Sequence, residues 1–166
     1  MPVPQTSSET AKRDLLRHSL ATVAYRGGKA LRGAPPDFSD FRAGSASRSA
    51  GEILAHIGDL FDWARTLADG KEAWSDSKLL PWDEGVARFF EALAKFDARL
   101  ASAEPLANPP EKLFQGPIAD ALTHVGQLAM LRRLAGEPVK GENYHRAEIA
   151  AGRVGKEQAA PRREFD

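Results

Sequence analysis

Ser49-Ala50-Gly51-Glu52-Ile53-Leu54-Ala55-His56-Ile57-Gly58-Asp59-Leu60-Phe61-Asp62-Trp63-Ala64-Arg65-Thr66-Leu67-Ala68 is the stretch on which the fold turns. Ile53, Ile57, Leu60, Phe61, Ala64 and Leu67 recur at three- and four-residue steps, so a helix gathers them into one apolar stripe. Ser49 and Glu52 stand at the spacing of a capping box, in which each side chain bonds a backbone N–H that the first turn leaves open. Gly70 closes the segment, which spans about 47–69. A helix with one greasy face is stable only against other elements, and the chain supplies more of the same kind.

Before it, at about 9–32, Leu16, Leu20, Val23, Ala24, Gly27 and Leu31 repeat at helical steps. Thr6 and Glu9 form a second candidate capping box, and Gly33 with Pro35-Pro36 ends the segment. Gly27-Gly28 weakens the later turns, where a bend is expected. After it, Val86, Phe89, Phe90, Leu93, Phe96 and Leu100 mark a helix at about 83–102 with Asp83 as N-cap, stopped by Pro105, Pro109 and Pro110. A fourth runs over about 116–135, opening near Gly116-Pro117 and carrying Ile118, Ala121, Leu122, Val125, Leu128, Ala129 and Leu131. No β-branched run of period two competes. The reading is all-α: four one-sided helices covering one another as a four-helix bundle, a single domain over residues 1–166.

The linkers are long. Ala34 to Ala46 is aperiodic and rich in Pro, Gly and Ser; fully extended, a dozen residues reach ~40 Å, so the first two helices need not be antiparallel. Lys71 to Trp82 is a second such linker. The residues from 137 to 166 read as a polar tail, laid over the bundle or partly mobile, with only Tyr144 to Ala151 resembling a short helix.

Composition narrows the function. Lys plus Arg and Asp plus Glu both number 23 in 166 residues, so no net field draws nucleic acid or an anionic membrane. No run approaches the ~18 apolar residues of a membrane span, and Met1 to Thr10 lacks the form of a signal peptide; the expectation is a cytoplasmic protein. Cysteine is absent, which excludes disulfides, thiolate ligands and a cysteine nucleophile. Thiol chemistry would need a thiol carried in by a small molecule.

The chemistry-bearing residues stand on the apolar faces. His56 lies among Ile53, Ile57 and Leu60; alone it reads as a core histidine bonded to a carbonyl or carboxylate. Asp120 and His124, four apart on the fourth helix, share one face and alone read as an intrahelical pair. A carboxylate buried there unpaired would cost several kcal/mol. Together the three make a two-histidine, one-carboxylate set, the composition that holds Zn, Ni, Fe or Mn and leaves coordination positions open. The alternative is a non-catalytic ligand- or partner-binding bundle with a hydrogen-bonded His/Asp/His cluster. Gln127, one turn beyond His124, is a candidate for orienting substrate or water. Glu52 is assigned to capping before any support of His56. His18, Arg132-Arg133 and Arg162-Arg163 read as surface charge, His145 and Glu142 as solvent-exposed rather than further ligands, and Trp63, Trp74 and Trp82 as packing residues.

The motif Ser49-Ala50-Gly51-Glu52-Ile53-Leu54-Ala55-His56-Ile57-Gly58-Asp59-Leu60, with Asp120-Ala121-Leu122-Thr123-His124-Val125-Gly126-Gln127-Leu128 leading to Leu131-Arg132-Arg133-Leu134-Ala135-Gly136-Glu137-Pro138, resembles the DinB-like (YfiT-like) superfamily of metal-dependent enzymes. The resemblance covers about residues 10 to 138. It implies up-down-down-up helix order, a homodimer, and one divalent metal held by His56 and His124 with Asp120 standing where the family usually has histidine. It further implies a small-molecule substrate, with thiol S-transfer, thiol-dependent isomerisation or hydrolysis as the reaction and a low-molecular-weight thiol as cosubstrate. An aspartate lowers the charge of the complex by one and makes the ion a weaker Lewis acid.

Overall fold

The computed structural model describes residues 7–165. Four long helices, α1 (Ser7–Leu31), α2 (Ala50–Ala68), α3 (Trp82–Ala101) and α5 (Ala119–Leu134), pack as a bundle, and a single turn, α4 (Pro110–Leu113), precedes the last of them. The first expected capping box lies outside the described residues at Thr6. That of α2 is present in full: Ser49 Oγ accepts from the Glu52 N–H, and the Glu52 carboxylate accepts from the Ser49 N–H. Gly70, at φ 70°, takes the left-handed conformation that lets the chain leave α2 without a Cβ clash.

Cross-helix pairs give the directions. Arg17 meets Asp97 while Gly27 abuts Phe89, so α1 and α3 are antiparallel. Leu54 lies at Gly85 and Arg99 bonds the carbonyl of Ala68, so α2 and α3 are parallel. Gly27 is also close to Val125 and Ala30 receives a bond from Arg132, making α1 and α5 parallel. The order is up-down-down-up, with α1 and α2 each packed between α3 and α5. The linker that must return along the bundle is therefore the second, residues 69–81, because α2 and α3 run the same way. The first carries a 3-10 turn, Pro36–Asp40, that plugs Phe38 edge-on against Trp82. It crosses a diagonal of the bundle.

Helix α1 continues unbroken through Gly27. Its two glycines serve packing: a Cβ at Gly27 would stand 2.7 Å from the Phe89 ring. The start of α3 is Trp82 after an N-cap at Pro81, so Asp83 sits inside the first turn, where it still complements the helix dipole. The fourth segment departs most from expectation. Pro110, read as a stop, opens α4, since a proline in the first turn forfeits no hydrogen bond. Pro117, read as a start, falls inside a π-helical turn, Phe114–Ile118. An α-helix has no room there for the proline ring against the carbonyl four residues back, and the wider turn relieves that clash.

The tail is ordered by α1. A two-residue ladder joins β1 (Gly141–Glu142) to β2 (Glu164–Phe165), and Val154 enters the core. The stretch expected as a short helix is a 3-10 turn at Tyr144–Arg146 alone. Glu142, expected in solvent, is buried: it accepts from Tyr25 Oη at 2.6 Å and Lys29 Nζ at 2.8 Å. Arg132, expected on the surface, is buried too, donating to the carbonyls of Ala30, Arg32 and Glu137. No described helix is long and apolar enough to cross a membrane.

Candidate metal centre

Because α2 and α5 pack antiparallel, His56 from the middle of one meets the first two turns of the other. Asp120 and His124 are four apart and project from the same side of α5, so its backbone alone keeps them adjacent. His56 Nε2 stands 3.7 Å from Asp120 Oδ2, and His124 Nε2 stands 3.4 Å from Asp120 Oδ1. One ligand atom from each residue can be chosen so that all lie within 4.8 Å of one another. An ion with bonds of ~2.0–2.1 Å in tetrahedral geometry sets its donors ~3.3 Å apart. The Asp–His separations are close to that spacing and too long for hydrogen bonds.

The π turn of Phe114–Ile118 immediately precedes this pair and resets the rotation of α5 about its axis. The side chains of His56 and His124 are largely buried, at 18% and 13% exposure, whereas Asp120 is 46% exposed. The expected burial of this carboxylate is thus not observed. It sits at the rim, open to solvent, and the large desolvation cost does not arise.

Neither His56 nor Asp120 makes a side-chain hydrogen bond within the described residues. His124 does: its Nδ1 lies 2.8 Å from Gln127 Oε1. With the proton on Nδ1, His124 donates to Gln127 and keeps the Nε2 lone pair aimed at the cluster, as in metal-ligating histidines oriented by an outer oxygen acceptor. Gln127, expected to orient substrate or water, is placed to orient His124. Burial pushes the His56 pKa down, with Arg48 and His124 adding to it against the opposing pull of Asp120 and Asp59. The neutral imidazole, the form that ligates metal, is thereby favoured.

Trp74, expected as packing, is 43% exposed and lies across the site from the second linker. Its ring centroid is 5.5 Å from that of His56 and 5.8 Å from that of Trp63. The linker is held in place by Arg88 of α3, which bonds the Ala55 carbonyl, Ser77, Asp59 and Asp62, while Asp59 also accepts from the Ser77 N–H. Glu52 stays with its cap and with Arg42, and His145 is exposed.

Beside His124 an open groove of about 480 Å³ runs along α5, walled by Ile53, Met130, Leu131 and Leu134. Arg48, just before the α2 cap, stands at its edge. Nothing in the sequence marks Arg48, because its place depends on how the first linker meets α5. No protein-family model matches the chain, and no curated protein or solved structure is significantly similar to it.

Proposed function

We propose that His56, Asp120 and His124 hold one divalent metal ion and that the protein is a metal-dependent enzyme acting on a small molecule, of the DinB-like type that its motifs resemble. The observation that carries this reading is a set of three donors, brought from two helices to within 4.8 Å, whose members do not hydrogen-bond one another. A hydrogen-bonded cluster would close to ~2.7–3.0 Å; a set built around a cation keeps its donors apart. The donors, two imidazoles and a carboxylate, suit Zn, Ni, Fe or Mn and leave positions for a ligand.

An ion held there supplies Lewis acidity and lowers the pKa of a hydroxyl or thiol that reaches it. The chain does the rest. Gln127 fixes the tautomer of His124, Trp74 and Trp63 limit water on the His56 side, and the apolar groove receives substrate. With no cysteine of its own, the protein acts as template for an incoming nucleophile, and a small thiol cosubstrate fits that role.

Elemental analysis of protein purified without a metal-binding tag tests the reading. About one equivalent of divalent metal is expected in the wild type and a trace in His56→Ala. Negligible metal in both, after incubation with Zn, Ni, Fe or Mn, would end it.

A further inference from the structure

The groove beside His124 has a defined chemistry. Its walls are mostly apolar, with Ser47 and Gln127 as neutral polar members, and Met130 and Leu134 in them are 53% and 56% exposed. Its volume of about 480 Å³ lies within the ~300–1,000 Å³ typical of small-ligand sites. Arg48 is the only charged side chain among its lining residues apart from His124, which charges only when protonated. Most other arginines of the helical body are committed to a polar partner, among them Arg17 to Asp97, Arg42 to Glu52, Arg88 to Asp59 and Arg99 to Asp69, and the exceptions, Arg26, Arg32 and Arg133, do not line this groove. Arg48 has neither an ion pair nor a side-chain hydrogen bond within the described residues. Its backbone is nevertheless fixed, since Arg42 bonds the carbonyl of Ser47 on one side and the Ser49 cap holds the other.

We propose that the groove selects an organic anion with an apolar body, the anionic group on Arg48 and the body along Ile53, Met130, Leu131 and Leu134, so that its reacting portion reaches His124. The proposal names the substrate class of the metal centre and to that extent rests on the metal reading. A guanidinium pairs a carboxylate through two parallel hydrogen bonds, which fixes orientation as well as charge. The unbranched thioether of Met130 adapts to tails of differing shape. The positive charge of Arg48, with no carboxylate among the lining residues to offset it, disfavours a cationic ligand.

Octanoate, octanol and octylamine serve as probes, titrated calorimetrically into chelator-treated protein so that ligation of a metal by the carboxylate does not contribute. Octanoate should bind, octanol at least tenfold more weakly, and octylamine not measurably. Arg48→Gln should remove the preference for octanoate over octanol, and Met130→Glu, an exposed substitution, should weaken octanoate at least tenfold. Equal binding of octanoate and octanol to the wild type, or an unchanged octanoate affinity in Arg48→Gln, would overturn the proposal. Metal content separates the two readings. A protein that takes no metal yet discriminates octanoate through Arg48 loses the metal reading and keeps the groove; one that takes metal and ignores Arg48 does the reverse.

Discussion

Two polar clusters tie distant parts of this chain together, and they are built in opposite ways. Tyr25, Lys29, Glu142 and Glu164 meet where the tail crosses α1, at hydrogen-bond distances from 2.6 to 3.1 Å. Every charge there is answered by protein. His56, Asp120 and His124 meet where α2 crosses α5, yet Asp120 stands 3.4 Å from His124 and 3.7 Å from His56. The first is a closed network that holds a segment in place; the second is an open set of three donors, spaced so that they could hold an ion between them. Burial of polar groups alone does not distinguish a fastening from a site, whereas saturation of their bonds does.

The contrast breaks most directly at Glu142. Glu142→Ala leaves Lys29 with only the partly exposed Glu164 and Tyr25 Oη without its acceptor, and should lower unfolding stability in urea by about 3–5 kcal/mol without changing metal content. A loss below ~1 kcal/mol would mean that the tail is not fastened by this network. The open cluster should respond to chelator instead. At a hundredfold excess of metal over its dissociation constant, metal-loaded protein should be stabler than chelated protein by ~2.7 kcal/mol, and His56→Ala should abolish the difference. Gln127→Ala should weaken metal affinity by roughly tenfold through the freed His124 ring, with unfolding of the chelated protein unchanged.

The smallest effect is one of pH. The Tyr25 pKa is raised, first by burial and then by its bond to Glu142. The Lys29 pKa is raised as well; burial alone lowers it, but bonds to Glu142 and Glu164 outweigh that. Groups with raised pKa contribute fully below their unfolded values of ~10 and lose that contribution as pH climbs toward the folded ones. Stability should therefore decline above about pH 10, and Tyr25→Phe should make the decline shallower. Any metal held at the candidate centre should be lost at the other end of the scale, where protons compete with the ion for its donors.

Where the sequence was legible, periodicity and capping did the work. The stripe of α2, the phenylalanines of α3 and the pairing of Asp120 with His124 all follow from 3.6 residues per turn. Bringing His56 to that pair required a fold, and the motif resemblance supplied the helix order that periodicity could not. Most of the misses share a cause: they depend on contacts between segments far apart in the chain. Arg132 and Glu142 look like surface charge until the carbonyls of Ala30 and Arg32 or the side chains of Tyr25 and Lys29 are set against them. Pro110 and Pro117 mislead for a local reason: proline serves at a helix start as well as a stop, so reading Pro110 as a stop takes the wrong one of two local meanings, while a π turn enclosing Pro117 has no local signature. Arg48 and Trp74 stand in linkers, whose paths no period encodes.

Trp74 carries a last consequence. An indole 5.5 Å from the ring of His56, and part solvated, is placed to respond in its emission to a change in that imidazole's charge or position, with Trp63 packed behind it and Trp82 sealed against Phe38. The molecule thus contains its own optical reporter: a shift in fluorescence on adding an ion, absent in Trp74→Phe, would follow occupancy in real time without any label.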